Sequence, residues 1–263
     1  MAAHGRAPRP SGRASDGQHF LKSATLVSEL VAHAGVSRHD LVVEFGAGTG
    51  SLTRPLLERA GRVIAVELDP ALAAFLRGDL GGDARLTVVC GNALRVPLPL
   101  EAFRVVGNLP FGSGTRILQR LLDDPGSALT RVDVLIQHEA ARKRAQVAPS
   151  TLATLRWSPW WDLRLVRMVR RDAFVPPPSV DAGVLVIERR AESLLAERLR
   201  TPYRQLVSKG FAHAATPLAR ALCVPRRTWA TFAHERGVPL DARAAELDVF
   251  DWVALFERIG RRR

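Results

Sequence analysis

The sequence predicts an α/β fold: a mostly parallel sheet with helices on both faces, followed by a small all-helical domain. Three observations carry this. Six short β-branched runs alternate with amphipathic stretches long enough for crossover helices. A glycine-rich turn directly follows the first run, and beyond Arg190 the strand pattern stops. The 263 residues, 47% of them hydrophobic, suffice for one ample core and a smaller second unit.

The strand-like runs are 41–45, 63–68, 86–89, 103–106, 132–137 and 183–187. Strands separated by helix-length segments pair in parallel and are buried on both faces, and ligands of such sheets sit at the carboxyl ends of the strands. After Arg190, stretches 191–200, 201–215, 217–222, 226–236 and 241–260 read as helices, punctuated by Pro202, Pro217, Pro225 and Pro239. The expected organisation is a basic disordered tail at 1–17, a sheet domain at 18–188 and a basic helical domain at 189–263.

A formal charge of +12 and a pI near 11.2 favour a polyanionic partner, nucleic acid before an acidic membrane surface. The charge is uneven: 1–17 carries three Arg against one Asp, and 189–263 carries fifteen basic residues against eight acids. Only Lys22, Lys143 and Lys209 are lysines among 38 basic residues. Arginine's planar fork suits phosphate, although a GC-rich genome would leave the same bias. Cys90 and Cys223 have no paired spacing, so neither a disulfide framework nor a metal site is expected and a reducing cytosol fits. The amino terminus lacks the apolar block of a signal peptide, and no apolar run approaches the ~18 residues of a membrane span. A cytoplasmic monomer without membrane attachment is the expectation.

The chemistry is concentrated at strand ends. Glu44-Phe45-Gly46-Ala47-Gly48-Thr49-Gly50 closes the first run and opens a helix near Ser51, and its glycines let a ligand touch bare backbone. A dinucleotide fingerprint needs two residues between its second and third glycines; here there is one. Glu67 ends the next run, where a carboxylate can accept both hydroxyls of a ribose, with Asp69 as its competitor. Asn92, in Cys90-Gly91-Asn92-Ala93, offers an acceptor to an adenine amine. Each has an ordinary turn or solvated strand end as its alternative; three consecutive strand ends with nucleoside-compatible groups favour a bound nucleoside.

Asn108-Leu109-Pro110-Phe111 carries the reaction in this reading. An exocyclic purine amine is a poor nucleophile because its lone pair is delocalised, so transfer to it needs acceptors that hold its N–H bonds while nitrogen becomes tetrahedral. Asn108 Oδ1 and the Leu109 carbonyl can supply them. Pro110 biases Leu109 toward extended backbone, and Phe111 offers a ring face for the base. No general base is required, since the proton can leave after the cationic amine has formed. Phe174, in Phe174-Val175-Pro176-Pro177-Pro178-Ser179-Val180, is a second aromatic able to sandwich a flipped-out base against Phe111. Trp157, Trp160 and Trp161 read as packing residues.

Together these residues resemble the rRNA adenine N6-methyltransferases, and more closely the Erm branch that modifies 23S rRNA and confers macrolide, lincosamide and streptogramin B resistance. The resemblance covers roughly 18–190: Gln18-His19-Phe20-Leu21, the Glu44 to Gly50 turn, Glu67, Gly91-Asn92-Ala93, Asn108 to Phe111, and the loop from Phe174 to Val180. It implies a Rossmann-like class I methyltransferase sheet binding S-adenosyl-L-methionine through His19, Leu21, Gly46, Glu67, Asn92 and Asn108. Asn108, Leu109 and Phe111 would act on the target, with Phe111 and Phe174 holding the adenine. His19 stands where the family commonly has Asn, and Asn92 where it usually has Asp.

Two alternatives stay open. The small-subunit (16S) rRNA dimethyladenosine transferase is the nearest, although Gln137 to Ala145 and Trp157-Ser158-Pro159-Trp160-Trp161 are similar to actinobacterial Erm proteins and a Gly-Lys-Tyr-Gly-type segment is missing. A non-catalytic rRNA-binding assembly factor on the same scaffold would tolerate loss of the acceptor tetrapeptide, which is intact here.

Overall fold

The computed structural model describes residues 19–148 and 150–260. The basic tail at 1–17 and Gln18 lie outside them. The described residues divide into two compact units: one of 19–141 with 165–188, the other of 142–164 with 189–260. The second unit therefore takes in 142–164, which the expected boundary at 189 placed in the sheet domain.

The first unit holds most of a sheet of β2 (Leu41–Phe45), β3 (Arg62–Glu67), β4 (Leu86–Cys90), β5 (Phe103–Asn108), β6 (Leu129–Gln137), β7 (Trp161–Val169) and β9 (Ala182–Arg189), in the order β4-β3-β2-β5-β6-β9-β7, with 161–164 and Arg189 counted in the second unit. Pairing is parallel from β4 to β6, and β9 returns antiparallel to β6 with Asp133 opposite Val186. All six predicted runs are strands, several of them longer than expected. Every residue of β2 is buried, although successive side chains point to opposite faces, so both faces of the sheet are covered.

Helices α1 (Ala24–Ala34), α2 (Thr53–Arg59), α3 (Pro70–Leu80) and α4 (Gly114–Leu122) belong to this unit, and α5 (His138–Ala145) begins in it. Val27, Val31 and Ala34 of α1 pack with Leu56 and Leu57 of α2 and with Val42, Val63, Val106, Leu135 and Val184 of the sheet. The Ser23 side chain caps α1, and Gly35 ends it in the left-handed conformation. Ala60 is the C-cap of α2, and a Cβ on Gly61 would lie 2.3 Å from the Arg38 carbonyl oxygen.

Three strands escaped the sequence pattern. β1 (Phe20–Leu21) and β8 (Phe174–Val175) form a two-residue antiparallel ribbon, Phe20 opposite Val175 and Leu21 opposite Phe174. Elements this short leave no periodicity to read. β7 is an edge strand whose middle is largely exposed, so its residues do not alternate cleanly.

The second unit contains α6 (Leu152–Trp157), α7 (Arg200–Ala212), α8 (Leu218–Ala221), α9 (Arg226–Arg236) and α10 (Val249–Gly260). Trp157, Trp160 and Trp161 are fully buried, as expected. The Trp160 Nε1–H donates to the Leu195 carbonyl, and the Arg189 guanidinium lies 4.6 Å from the centre of the Trp161 ring. Two expected helices are shorter than predicted. The stretch 191–200 is irregular apart from a 3₁₀ turn at Glu197–Leu199, and 241–260 is helical only from Val249, after a 3₁₀ turn at Ala244–Glu246. Among the described residues, no helix is long and apolar enough to cross a membrane.

Candidate active site

Strand order reverses between β2 and β5, and the crevice beyond their carboxyl ends is where open α/β sheets bind ligands. A cavity of about 280 Å³ opens there. It is lined by the turn after β2, the ends of β3 and β4, the tetrapeptide after β5 and the β1 segment. His19, Leu21, Gly46, Glu67, Asn92, Asn108, Leu109 and Phe111 all lie on its wall. Phe174 does not.

The glycine turn needs its glycines. Gly46 and Gly48 have φ of +76° and +58°, a region L side chains rarely adopt. A Cβ on Gly48 would lie 2.6 Å from Phe20 Cε1, so the turn and the β1 aromatic close on each other only because that Cβ is missing. The Gly48 N–H donates to Glu67 Oε2 at 2.7 Å, and the Asp69 N–H donates to Glu67 Oε1 at 2.9 Å. Glu67 is thus 2% exposed yet held by two main-chain donors. Asp69, its sequence competitor, instead caps α3 by accepting from the Ala71 and Leu72 N–H groups.

The β1–β8 ribbon brings His19 to the tetrapeptide. His19 Nδ1 lies 2.8 Å from the Pro176 carbonyl oxygen, which can only accept, so Nδ1 carries the proton. Asn108 Nδ2 donates to the His19 carbonyl at 2.6 Å. That bond fixes the amide's orientation and leaves Oδ1 as a buried acceptor with no partner. An unsatisfied buried acceptor costs on the order of 1–3 kcal/mol, so this oxygen, on a residue that lines the cavity, is one that calls for a donor. Leu109 is buried and continues the ladder, its N–H donating to the Leu135 carbonyl. The Pro110 carbonyl accepts from the Ser113 and Gly114 N–H groups and so holds the start of α4.

Phe111 is half-buried on the cavity wall, its ring centre 5.3 Å from that of His19 and 6.1 Å, edge-on, from that of Phe174. Phe174 is fully buried in the core beside α1 and α2. The expectation that it faces the base is corrected: the ring packs edge-on against Phe111 as the inward residue of β8, whose next residue, Val175, is the exposed one. Asn92 is exposed at the cavity rim, where its Oδ1 accepts from the Leu94 N–H at 2.8 Å, an Asx turn. Its amide NH₂ and the second lone pair of Oδ1 are left to a ligand without breaking that turn.

The model of the ribosomal RNA adenine dimethylase family matches residues 9–261. The chain belongs to this family. It is thereby an S-adenosylmethionine-dependent rRNA adenine N6-methyltransferase, of the Erm type. It is 34% identical to the mycinamicin-resistance protein MyrB of Micromonospora griseorubida over 95% of this chain and 79% of that protein. It is 35% identical to an rRNA adenine N-6-methyltransferase of Corynebacterium diphtheriae over 80% of each. The crystal structure of the 23S rRNA methyltransferase ErmE superposes with a TM-score of 0.82 at 30% identity, covering 92% of this chain and 99% of that one. A Plasmodium falciparum dimethyladenosine transferase, 19% identical, shares the fold with a TM-score of 0.77 over 93% and 98% of the two chains.

This adenine methyltransferase also has site residues that sequence reasoning passed over. Glu44 lines the cavity at 1% exposure, and the Thr53 hydroxyl donates to its Oε2 at 2.6 Å. Burial pushes its carboxyl up to about 8; the Thr53 hydrogen bond pulls it down, and the neighbouring Glu67 carboxylate raises it again. Its place immediately before the glycine turn was the signal available. Arg120 of α4 donates to the Ala93 carbonyl at 2.5 Å and also to that of Val96, pinning the loop that carries Asn92. Burial lowers its pKa. Nothing in the sequence links positions 27 residues apart in this way.

Proposed function

We propose that this protein methylates N6 of an adenine in 23S rRNA and thereby confers macrolide, lincosamide and streptogramin B resistance. The observation that carries the reading is the convergence of Asn108, whose Oδ1 is a buried acceptor without a donor, with Gly46, Glu67 and Asn92 around one nucleoside-sized cavity. The likeness to a mycinamicin-resistance protein and to the 23S rRNA methyltransferase ErmE supports the choice of substrate.

The residues fit the cofactor. S-adenosylmethionine is a cationic nucleoside, and the cavity combines two buried carboxylates with a glycine turn that admits close backbone approach. His19, Leu21, Gly46, Glu67, Asn92 and Asn108 would hold it, Glu67 toward the ribose and Asn92 toward the adenine. Once bound, it supplies the electrophilic methyl group.

Asn108 Oδ1 and the Leu109 carbonyl then accept from the target amine and orient its nitrogen lone pair. Phe111 stacks on the base, which must leave its helix to reach the cavity. The second unit, with Lys209, Arg220, Arg226 and Arg227 exposed, grips rRNA phosphates, and the protein works in the cytoplasm beside its substrate.

The test is to incubate the protein with ribosomal RNA and labelled cofactor and map the methylated adenines. Label in large-subunit rRNA is expected. Label confined to small-subunit rRNA would overturn the substrate, and no label with RNA binding retained would overturn catalysis.

A further inference from the structure

The cavity is acidic and has no counter-charge of its own. Glu44 and Glu67 both line it, and no Lys or Arg stands among the described lining residues. Glu67 is compensated by two main-chain N–H donors, from Gly48 and Asp69. Glu44, on β2, has one hydrogen bond, from the Thr53 hydroxyl on α2. The titratable groups facing the same space are Glu67 from β3 and His19 beside β1; Asn108 from β5 adds an uncharged amide. Two carboxylates sharing a water-poor site repel each other, so one of them is most stable protonated until a cation arrives. Glu44, the less compensated of the two, is that one. Its carboxyl, raised to about 8, agrees with this.

We propose that Glu44 is a neutral carboxylic acid in the ligand-free protein and loses its proton to solvent when the cationic cofactor enters, so that cofactor binding is coupled to proton release. The inference rests on the reading of the cavity as an S-adenosylmethionine site. The only bond broken is the Glu44 O–H. The proton passes to buffer, and the carboxylate left behind faces the cofactor's positive charge. Cofactor affinity then rises with pH through neutrality, and the site discriminates against uncharged nucleosides, which cannot drive the ionisation.

Calorimetric titration of the full chain with S-adenosylmethionine at pH 7, in buffers of different protonation enthalpy, tests this. The observed enthalpy should vary with the buffer, corresponding to about one proton released, and Kd should tighten about tenfold per pH unit between roughly pH 6 and 7 and level off above about 8. Glu44→Gln should remove both dependences, whereas His19→Asn should keep them. Wild-type binding that ignores buffer and pH would overturn the proposal, as would a dependence that disappears with His19→Asn instead. Absence of any binding heat in the wild type would overturn the cofactor reading itself. Infrared difference spectra of the wild type need no variant. The carbonyl stretch of a protonated carboxylic acid should disappear on cofactor addition, and its absence beforehand would overturn the assignment.

Discussion

Asn108 Nδ2 donates to the main-chain carbonyl of His19 across 89 residues of sequence, at 2.6 Å. One amide thereby ties the β1 segment to the end of β5 with its nitrogen and keeps its oxygen buried and unpaired. Asn108→Ala should cut methylation by about 10²–10³-fold, the usual loss for one preorganised polar contact at a reacting centre, with RNA affinity near wild type. Asn108→Asp keeps an acceptor but sets a carboxylate against the His19 carbonyl, so it should weaken cofactor binding as well. Single-turnover rates and cofactor titrations separate the two. Wild-type turnover in Asn108→Ala would remove the acceptor role.

The two aromatic rings make opposite predictions. Phe111 is half-buried on the wall and Phe174 is wholly buried behind it. Phe174→Ala should lower stability by about 3–5 kcal/mol, as for other buried aromatics, seen as a fall in Tm. Phe111→Ala should instead raise KM for RNA while Phe111→Tyr stays close to wild type, because the ring face does the work. Equal rates for the two Phe111 variants would argue against stacking.

The placement of the strand-end residues was legible in the sequence because each follows a β-branched run closely. Glu67, Asn92 and Asn108 sit on strand tips, and a parallel sheet places such tips side by side. What depends on depth was not legible. Phe111 and Phe174 are the same residue type, each close to a proline, yet one is half-buried on the cavity wall and the other fully buried. Partners far apart in sequence, such as Arg120 with Ala93 or His19 with Pro176, leave no local pattern at all.

Glu44 links stability to pH with a definite sign. Its carboxyl lies at about 8 in the folded protein against an ordinary 4.5. Between these values the folded state keeps a proton that the unfolded chain has lost, so this contribution is full below about 4.5 and declines as pH rises toward 8. Without cofactor, Glu44→Gln should therefore gain Tm relative to wild type on going from pH 5 to pH 8. A difference between the two proteins that stays constant across that range would mean Glu44 is already ionised.

Arg120 is a positioning residue whose guanidinium reaches the Ala93 and Val96 carbonyls from α4. Those carbonyls belong to the turn that holds Asn92 on the cavity rim, so their release should loosen the loop without touching Asn108. Hydrogen bonds to a charged donor contribute about 1.5–3 kcal/mol each, and losing even part of this from the loop should weaken cofactor binding by about tenfold or more. Arg120→Met, which keeps most of the aliphatic stem, should raise KM for S-adenosylmethionine while leaving kcat at saturation within about twofold, since binding carried by the loop is uniform between ground and transition states. Arg120→Lys should recover part of the loss, because an ammonium can reach one carbonyl but cannot span both. A fall in kcat with unchanged KM would place the effect of Arg120 on the reacting tetrapeptide instead, through α4 and the Pro110 carbonyl that starts it.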